Sequence, residues 1–303
     1  MKIIYSDKHR KHHITGHPES PKRVEALKDY FEKSGYEFTS PTGVDYDILN
    51  KVHTPSYVQK VFDLVDRIHE SPLQYLDPDT YFVNGSLEAA LDALGCAAKS
   101  VELSLNNKES SFALTRPPGH HAEADKGMGF CIFNNVAYAA KLAMEKYNIK
   151  KILIFDFDVH HGNGTEKIFY DTPAVLYISI HQHPHYPGTG HSYRIGEGEG
   201  EGFNINIPLE TLSGEEEAFS KLNPFKDFIS DYKTELLIFS AGFDAHRMDP
   251  LSATVFESST YKNLTETIID WAAPTHPAIS CLEGGYDIEV LCESALFHIK
   301  ALQ

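Results

Sequence analysis

The sequence predicts an α/β protein, a three-layer α/β/α architecture around a mostly parallel central sheet, and three observations carry that prediction. Five short apolar runs, Phe112–Leu114, Ile152–Phe155, Ala174–Ile180, Leu236–Phe239 and Ala278–Leu282, read as strands buried on both faces. Helical patterns separate most of them, which implies βαβ units. Unusual segments rich in His, Asp and Gly follow four of the runs directly, where the ligand site of such a sheet is expected.

Taken in chain order, residues 20–35 carry a complete helix signature. Ser20 stands as N-cap, Pro21 opens the first turn, Val24, Leu27 and Phe31 share one face, and Gly35 stops it. A second helix is expected at about 55–69. Ser86 is expected to cap a third, with Leu87, Ala90, Leu91 and Leu94 at helical spacing. Ser213 with Glu216 reads as the capping box of a later helix. No repeat and no linker divides the chain, so residues 1–303 are expected to form a single domain.

Composition narrows the function classes. The chain is 42% apolar and 23% charged, an ordinary globular balance. Its 27 Lys and Arg against 43 Asp and Glu give a net charge of −16, which disfavours direct nucleic acid binding and favours cationic partners. The basic run Lys8–His13 is expected to be a solvated face. Cys96, Cys131, Cys281 and Cys292 form no C-x-x-C, and no apolar stretch reaches the roughly 20 residues of a membrane span. Cytoplasm, no membrane and a monomer are the expectations.

The chemistry lies in four segments: Arg116–His121, Asp156–Gly162, Ser240–Asp244 and Glu283–Tyr286. In extended chain, residues two apart point the same way, so Asp158 and His160 can share one ion, and Asp244 could complete the set. Two carboxylates and one imidazole, with a position left for water, are the donors of a catalytic zinc site; a buried hydrogen-bonded turn is the rival reading. The adjacent His120 and His121 suit general acid and base work near neutrality, or are a surface pair. Tyr286, after two glycines, could donate to a developing oxyanion, or be a buried structural phenol.

Together these motifs resemble the histone deacetylase and acetylpolyamine amidohydrolase family, whose fold is similar to that of arginase. The resemblance runs from His17-Pro18-Glu19 and Pro21-Lys22-Arg23 through Asp77–Thr80, Gly129-Phe130-Cys131 and Asn134-Asn135 to Tyr286. The Gly196–Gly202 run is similar to class II and prokaryotic members. The resemblance implies zinc at Asp158, His160 and Asp244, with His121 as general base, His120 oriented by Asp156, and Tyr286 as oxyanion donor. It implies that Gly129, Phe130 and Tyr186 line an acyl-chain channel with Asp79 and Leu251 at its rim, and that Arg23 lines an interior channel. It also implies a potassium or sodium site at Ser179 with the main chain of Asp156, Asp158 and His160.

Two departures from the family pattern matter, one for the base and one for the substrate. Asn163 stands where class I members carry an aspartate partner for the second histidine, which leaves the His121 imidazolium less stabilised. Leu251 stands where a polyamine-specialised relative carries glutamate. The expected substrates are therefore acetyl-lysine of peptides or proteins and acetylated polyamines alike. His181, His183, His185 and His191 are read as loop and rim residues, and Cys131 as packed below the site. An arginase-like binuclear ureohydrolase is the alternative enzyme, disfavoured because Ala245 and His246, with no second acid, follow Asp244. A non-catalytic acyl-lysine-binding protein is the alternative outside enzymes.

Overall fold

The computed structural model describes residues 1–303. In chain order the elements are β1 (Lys2–Ile4), α1 (Pro21–Lys33), β2 (Glu37–Thr39), α2 (Tyr46–Val52), α3 (Pro55–Arg67), β3 (Leu73–Asp77), β4 (Thr80–Val83) and α4 (Ser86–Glu102). They continue with β5 (Ser111–Ala113), α5 (Asn135–Tyr147), β6 (Ile152–Asp156), α6 (Asn163–Ile168), β7 (Val175–Gln182) and β8 (Asn204–Leu209). The last six are α7 (Glu215–Leu222), α8 (Lys226–Tyr232), β9 (Leu236–Ala241), α9 (Ser258–Ala272), β10 (Ile279–Leu282) and α10 (Ile288–Ala301).

Eight strands form one sheet in the order β2-β1-β5-β10-β9-β6-β7-β8, and every pairing in it is parallel. β3 and β4 form a separate antiparallel hairpin. Strand periodicity sends neighbouring residues to opposite faces. Leu153 and Phe155 of β6 join a cluster of 37 buried residues with Leu27, Leu264 and Leu291, from α1, α9 and α10. Ile152 and Ile154 join a second cluster of 35 with Leu49, Val61, Leu94 and Ala137, from α2 to α5. The sheet thus lies between two helical layers, as its two-sided apolar strands require.

All five expected strands are present. The helix capping differs in detail. Ser20 occupies the N-cap of α1 but its side chain makes no cap bond. Ser86 is the first residue of α4 rather than its cap; Gly85 stands there, and the Ser86 hydroxyl accepts from Val83 N–H at 2.8 Å instead. Only half of the expected capping box forms before α7, one residue later: the Glu217 carboxylate accepts from Gly214 N–H at 2.9 Å, and Gly214 has no side chain to return the bond. The basic run is solvated at four of its six residues: Lys8, Arg10, Lys11 and His13 are exposed, while His9 and His12 point inward and are buried.

Candidate active site

β5, β10, β9 and β6 are consecutive in the middle of the sheet, and the four reactive segments leave their carboxyl ends. Parallel pairing sets Asp156 beside Ser240 on β9 and beside Ser179 on β7. Chemistry distant in sequence therefore meets at one rim.

Asp158, His160 and Asp244 offer ligand atoms that all lie within 4.8 Å of one another, and all three residues are buried. Nδ1 of His160 sits 3.0 Å from Asp158 Oδ1 and 3.1 Å from Asp244 Oδ2. Backbone donors orient the carboxylates: Gly284 N–H reaches Asp158 Oδ2 at 2.8 Å and Val159 N–H reaches Asp244 Oδ1 at 2.9 Å. Gly242 and Gly284 make room for this approach, since a Cβ on either would collide with a triad carboxylate. Burial pushes the Asp244 carboxyl up, and the neighbouring Asp158 charge adds to it. Burial opposes a charge on His160, but hydrogen bonds to Asp158 and Asp244 outweigh it and hold the imidazole up at about 10. Two buried carboxylates around one imidazole nitrogen form a donor set that fits a divalent cation.

His120 and His121 lie beside the triad with ring centroids 4.0 Å apart. Nδ1 of His120 donates to Asp156 Oδ2 at 3.1 Å, and the Tyr177 hydroxyl donates to the same oxygen at 3.0 Å. Nδ1 of His121 faces Asn163 Oδ1 at 2.8 Å. The two imidazoles titrate in opposite directions. Burial alone would pull His120 down, yet Asp158 and Asp156 overcome it and hold it up at about 10. Burial pulls His121 well down, and the positive charges of His120 and His160 reinforce the effect.

A cavity of about 230 Å³ opens over these groups, lined by His120, His121 and His160 together with Gly129, Phe130, Tyr186, Leu251, Asp79 and Tyr286. The residues expected at the channel are thus brought together. Asp79, in the turn of the β3–β4 hairpin, also accepts from Gly129 N–H at 3.0 Å and so fixes the channel turn. Tyr186 packs edge-on to His121 with centroids 5.2 Å apart. Ser179 lies apart from the cavity, with its hydroxyl 2.9 Å from His181 Nδ1. Arg23 is buried behind Tyr286, its guanidinium 4.9 Å from the ring centroid. Cys131 is buried beneath Gly129, whose carbonyl its thiol meets at 3.2 Å.

Several placements and partners go beyond what the sequence indicates. His181 is buried within β7 rather than on a loop. His185, expected at the rim, lines the cavity and stacks on His160 with centroids 5.0 Å apart. Glu283 accepts from Gly119 N–H at 2.6 Å and His120 N–H at 3.2 Å, fixing the backbone that carries the histidine pair. Glu19 lies between Arg116 at 2.8 Å and Arg23 at 3.1 Å, a fully buried ionic cluster. Glu19 and Glu283 lie inside quoted motifs, but their partners are set only by the fold.

Residues 17–302 match the family described as "Histone deacetylase domain". A "Probable deacetylase" of Methanothermobacter thermautotrophicus is 38% identical over all of this chain and 90% of its own length. "Histone deacetylase 10, chloroplastic" of Oryza sativa subsp. japonica is 34% identical over 96% of this chain and 70% of its own. The crystal structure of acetylpolyamine aminohydrolase from Burkholderia pseudomallei superposes with a TM-score of 0.90 at 25% identity, covering 100% of this chain and 98% of that one. No helix is long and apolar enough to cross a membrane. With its reactive groups gathered at the carboxyl ends of a parallel sheet, the chain belongs to the histone deacetylase family and is a hydrolase acting on amides.

Proposed function

We propose that this chain removes acetyl groups from amines on flexible chains, namely acetyl-lysine of peptides or proteins and acetylated polyamines, using one zinc ion held by Asp158, His160 and Asp244. The observation that carries this is the meeting of that triad, both histidines and Tyr286 in one cavity. When bound there, zinc supplies Lewis-acid polarisation of the acyl carbonyl and a water of pKa about 7. A single triad of clustered ligand groups favours one ion over the bridged pair of a ureohydrolase.

The residues divide the remaining work. His121 is the general base: Asn163 engages its Nδ1, its pKa is depressed, and the neutral ring takes a proton at Nε2. It returns that proton to the leaving amine. His120, charged and anchored on Asp156, contributes electrostatic stabilisation. Tyr286 keeps its proton, since burial pushes the phenol well up with Asp244 and Asp158 adding to it against Arg23, and so donates to the oxyanion. Gly129, Phe130 and Tyr186 enclose a thin chain, with Asp79 and Leu251 at the mouth. Ser179 beside Asp156 in the sheet register supports the potassium or sodium site, using main-chain oxygens of Asp156, Asp158 and His160.

The test is kcat/KM for matched acetyl-lysine peptides and acetylated polyamines, with a linear hydroxamate as inhibitor. Both classes should turn over within about tenfold of each other, since one exposed ion pair contributes about 1 kcal/mol or less. Absence of hydroxamate inhibition, or turnover of neither class, would overturn the reading.

A further inference from the structure

The oxyanion role of Tyr286 depends on where the chain leaving β10 places its phenol, and a single peptide unit governs that placement. The carbonyl of the Gly285–Tyr286 peptide accepts from Arg23 Nε at 2.5 Å, and the N–H of the same peptide donates to Asp249 Oδ2 at 2.6 Å. An arginine cation thus holds its oxygen and a carboxyl oxygen its hydrogen, both along the peptide dipole. Asp249 itself is buried, at 5% exposure.

The rest of that carboxylate is also engaged with the site. Oδ2 accepts a second, longer bond from Asp287 N–H at 3.3 Å, and Oδ1 accepts from Leu251 N–H at 3.0 Å. The Leu251 carbonyl in turn accepts from Nε2 of His185, the ring stacked on the triad's His160. One buried carboxylate therefore ties the catalytic phenol's backbone to the cavity wall that faces the triad. Its three backbone bonds go to the segments that form or leave the site.

We propose that Asp249 is a positioning residue, which, itself braced by the Leu251 N–H, holds the Tyr286 N–H and so sets the phenol's reach to the oxyanion. This rests on the oxyanion reading of Tyr286 given above. Asp249→Asn keeps the volume but turns a donor amide toward N–H groups, so the clamp loosens while the core stays packed.

The test is a double-mutant cycle on the zinc-loaded enzyme, with kcat, KM, metal content and thermal unfolding measured for each form. Asp249→Asn should lower kcat about tenfold or more, with KM within about threefold and metal content unchanged. In a Tyr286→Phe background, the same substitution should lower kcat by less than about twofold, because the group it positions is gone. Should Asp249→Asn yield little folded protein, Asp249→Ser, smaller and with one acceptor, runs through the same cycle. Equal losses in both backgrounds, or no loss in either, would overturn the positioning role and leave the oxyanion reading intact. Wild-type kcat in Tyr286→Phe alone would overturn the oxyanion reading, and this proposal with it.

Discussion

Asn163→Asp tests the proposed general base, His121, directly. Nδ2 of Asn163 donates to Glu123 Oε1 at 2.9 Å and to the His121 carbonyl at 3.5 Å, both of which only accept. Oδ1 is therefore the atom 2.8 Å from His121 Nδ1, so Nδ1 carries a proton and Nε2 is free to take one. A carboxylate in its place sets a full negative charge beside the imidazolium formed in turnover. Unit charges about 4 Å apart at an effective dielectric of about 20 interact by about 4 kcal/mol, or about three pKa units. Glu123 opposes part of this, because it loses a donor and faces a like charge. The expected net rise at His121 is about one to two units. Since the base works neutral, the acidic limb of kcat/KM against pH moves to higher pH by that amount. Adding Glu123→Gln restores a donor and recovers thermal stability while the limb stays shifted. An acidic limb within about 0.3 units of the wild-type position would refute His121 as the base.

Tyr286→Phe should retain metal and fold while losing about 10² to 10³ in kcat, read by steady-state kinetics with metal analysis alongside. Gly242→Ala should drive a methyl group into the Asp158 carboxylate and strip the metal, visible as metal content well below one per chain with circular dichroism preserved. Burial pushes Glu19 up, but Arg116 and Arg23 outweigh it and hold its carboxyl at about 2, below its ordinary 4.5. Its stabilisation, about 3 kcal/mol by linkage, is present above pH 4.5 and lost as pH falls toward 2. Urea unfolding of wild type and Glu19→Gln should therefore converge between those pH values, and a constant gap would contradict the pairing.

Strands buried on both faces were legible because apolar runs such as Ile152–Phe155 are short, β-branched and bounded by turns. The three-residue strands β1 and β2 carried too few positions for a period to show, and Asn204–Leu209 alternates polar residues that its neighbours bury. The Asp158, His160 and Asp244 cluster was suggested by a two-residue spacing plus a resemblance, since Asp158 and His160 are local while Asp244 meets them only through the β6–β9 pairing. Asp249, the backbone contacts of Glu283 and the stacking of His185 on His160 were not legible. Their roles consist of bonds to backbone N–H and C=O groups or ring stacking, partners that leave no pattern in residue type.

The central claim is one metal ion at Asp158, His160 and Asp244 serving amide hydrolysis, and reconstitution tests it most directly. Chelator-stripped protein is titrated with zinc while hydrolysis of an acetyl-lysine peptide and bound metal are followed together. Activity should rise in step with occupancy and level off at one equivalent per chain, and Asp244→Ala should neither bind the ion nor gain activity. A plateau at two equivalents, or full turnover by the stripped protein, would contradict it.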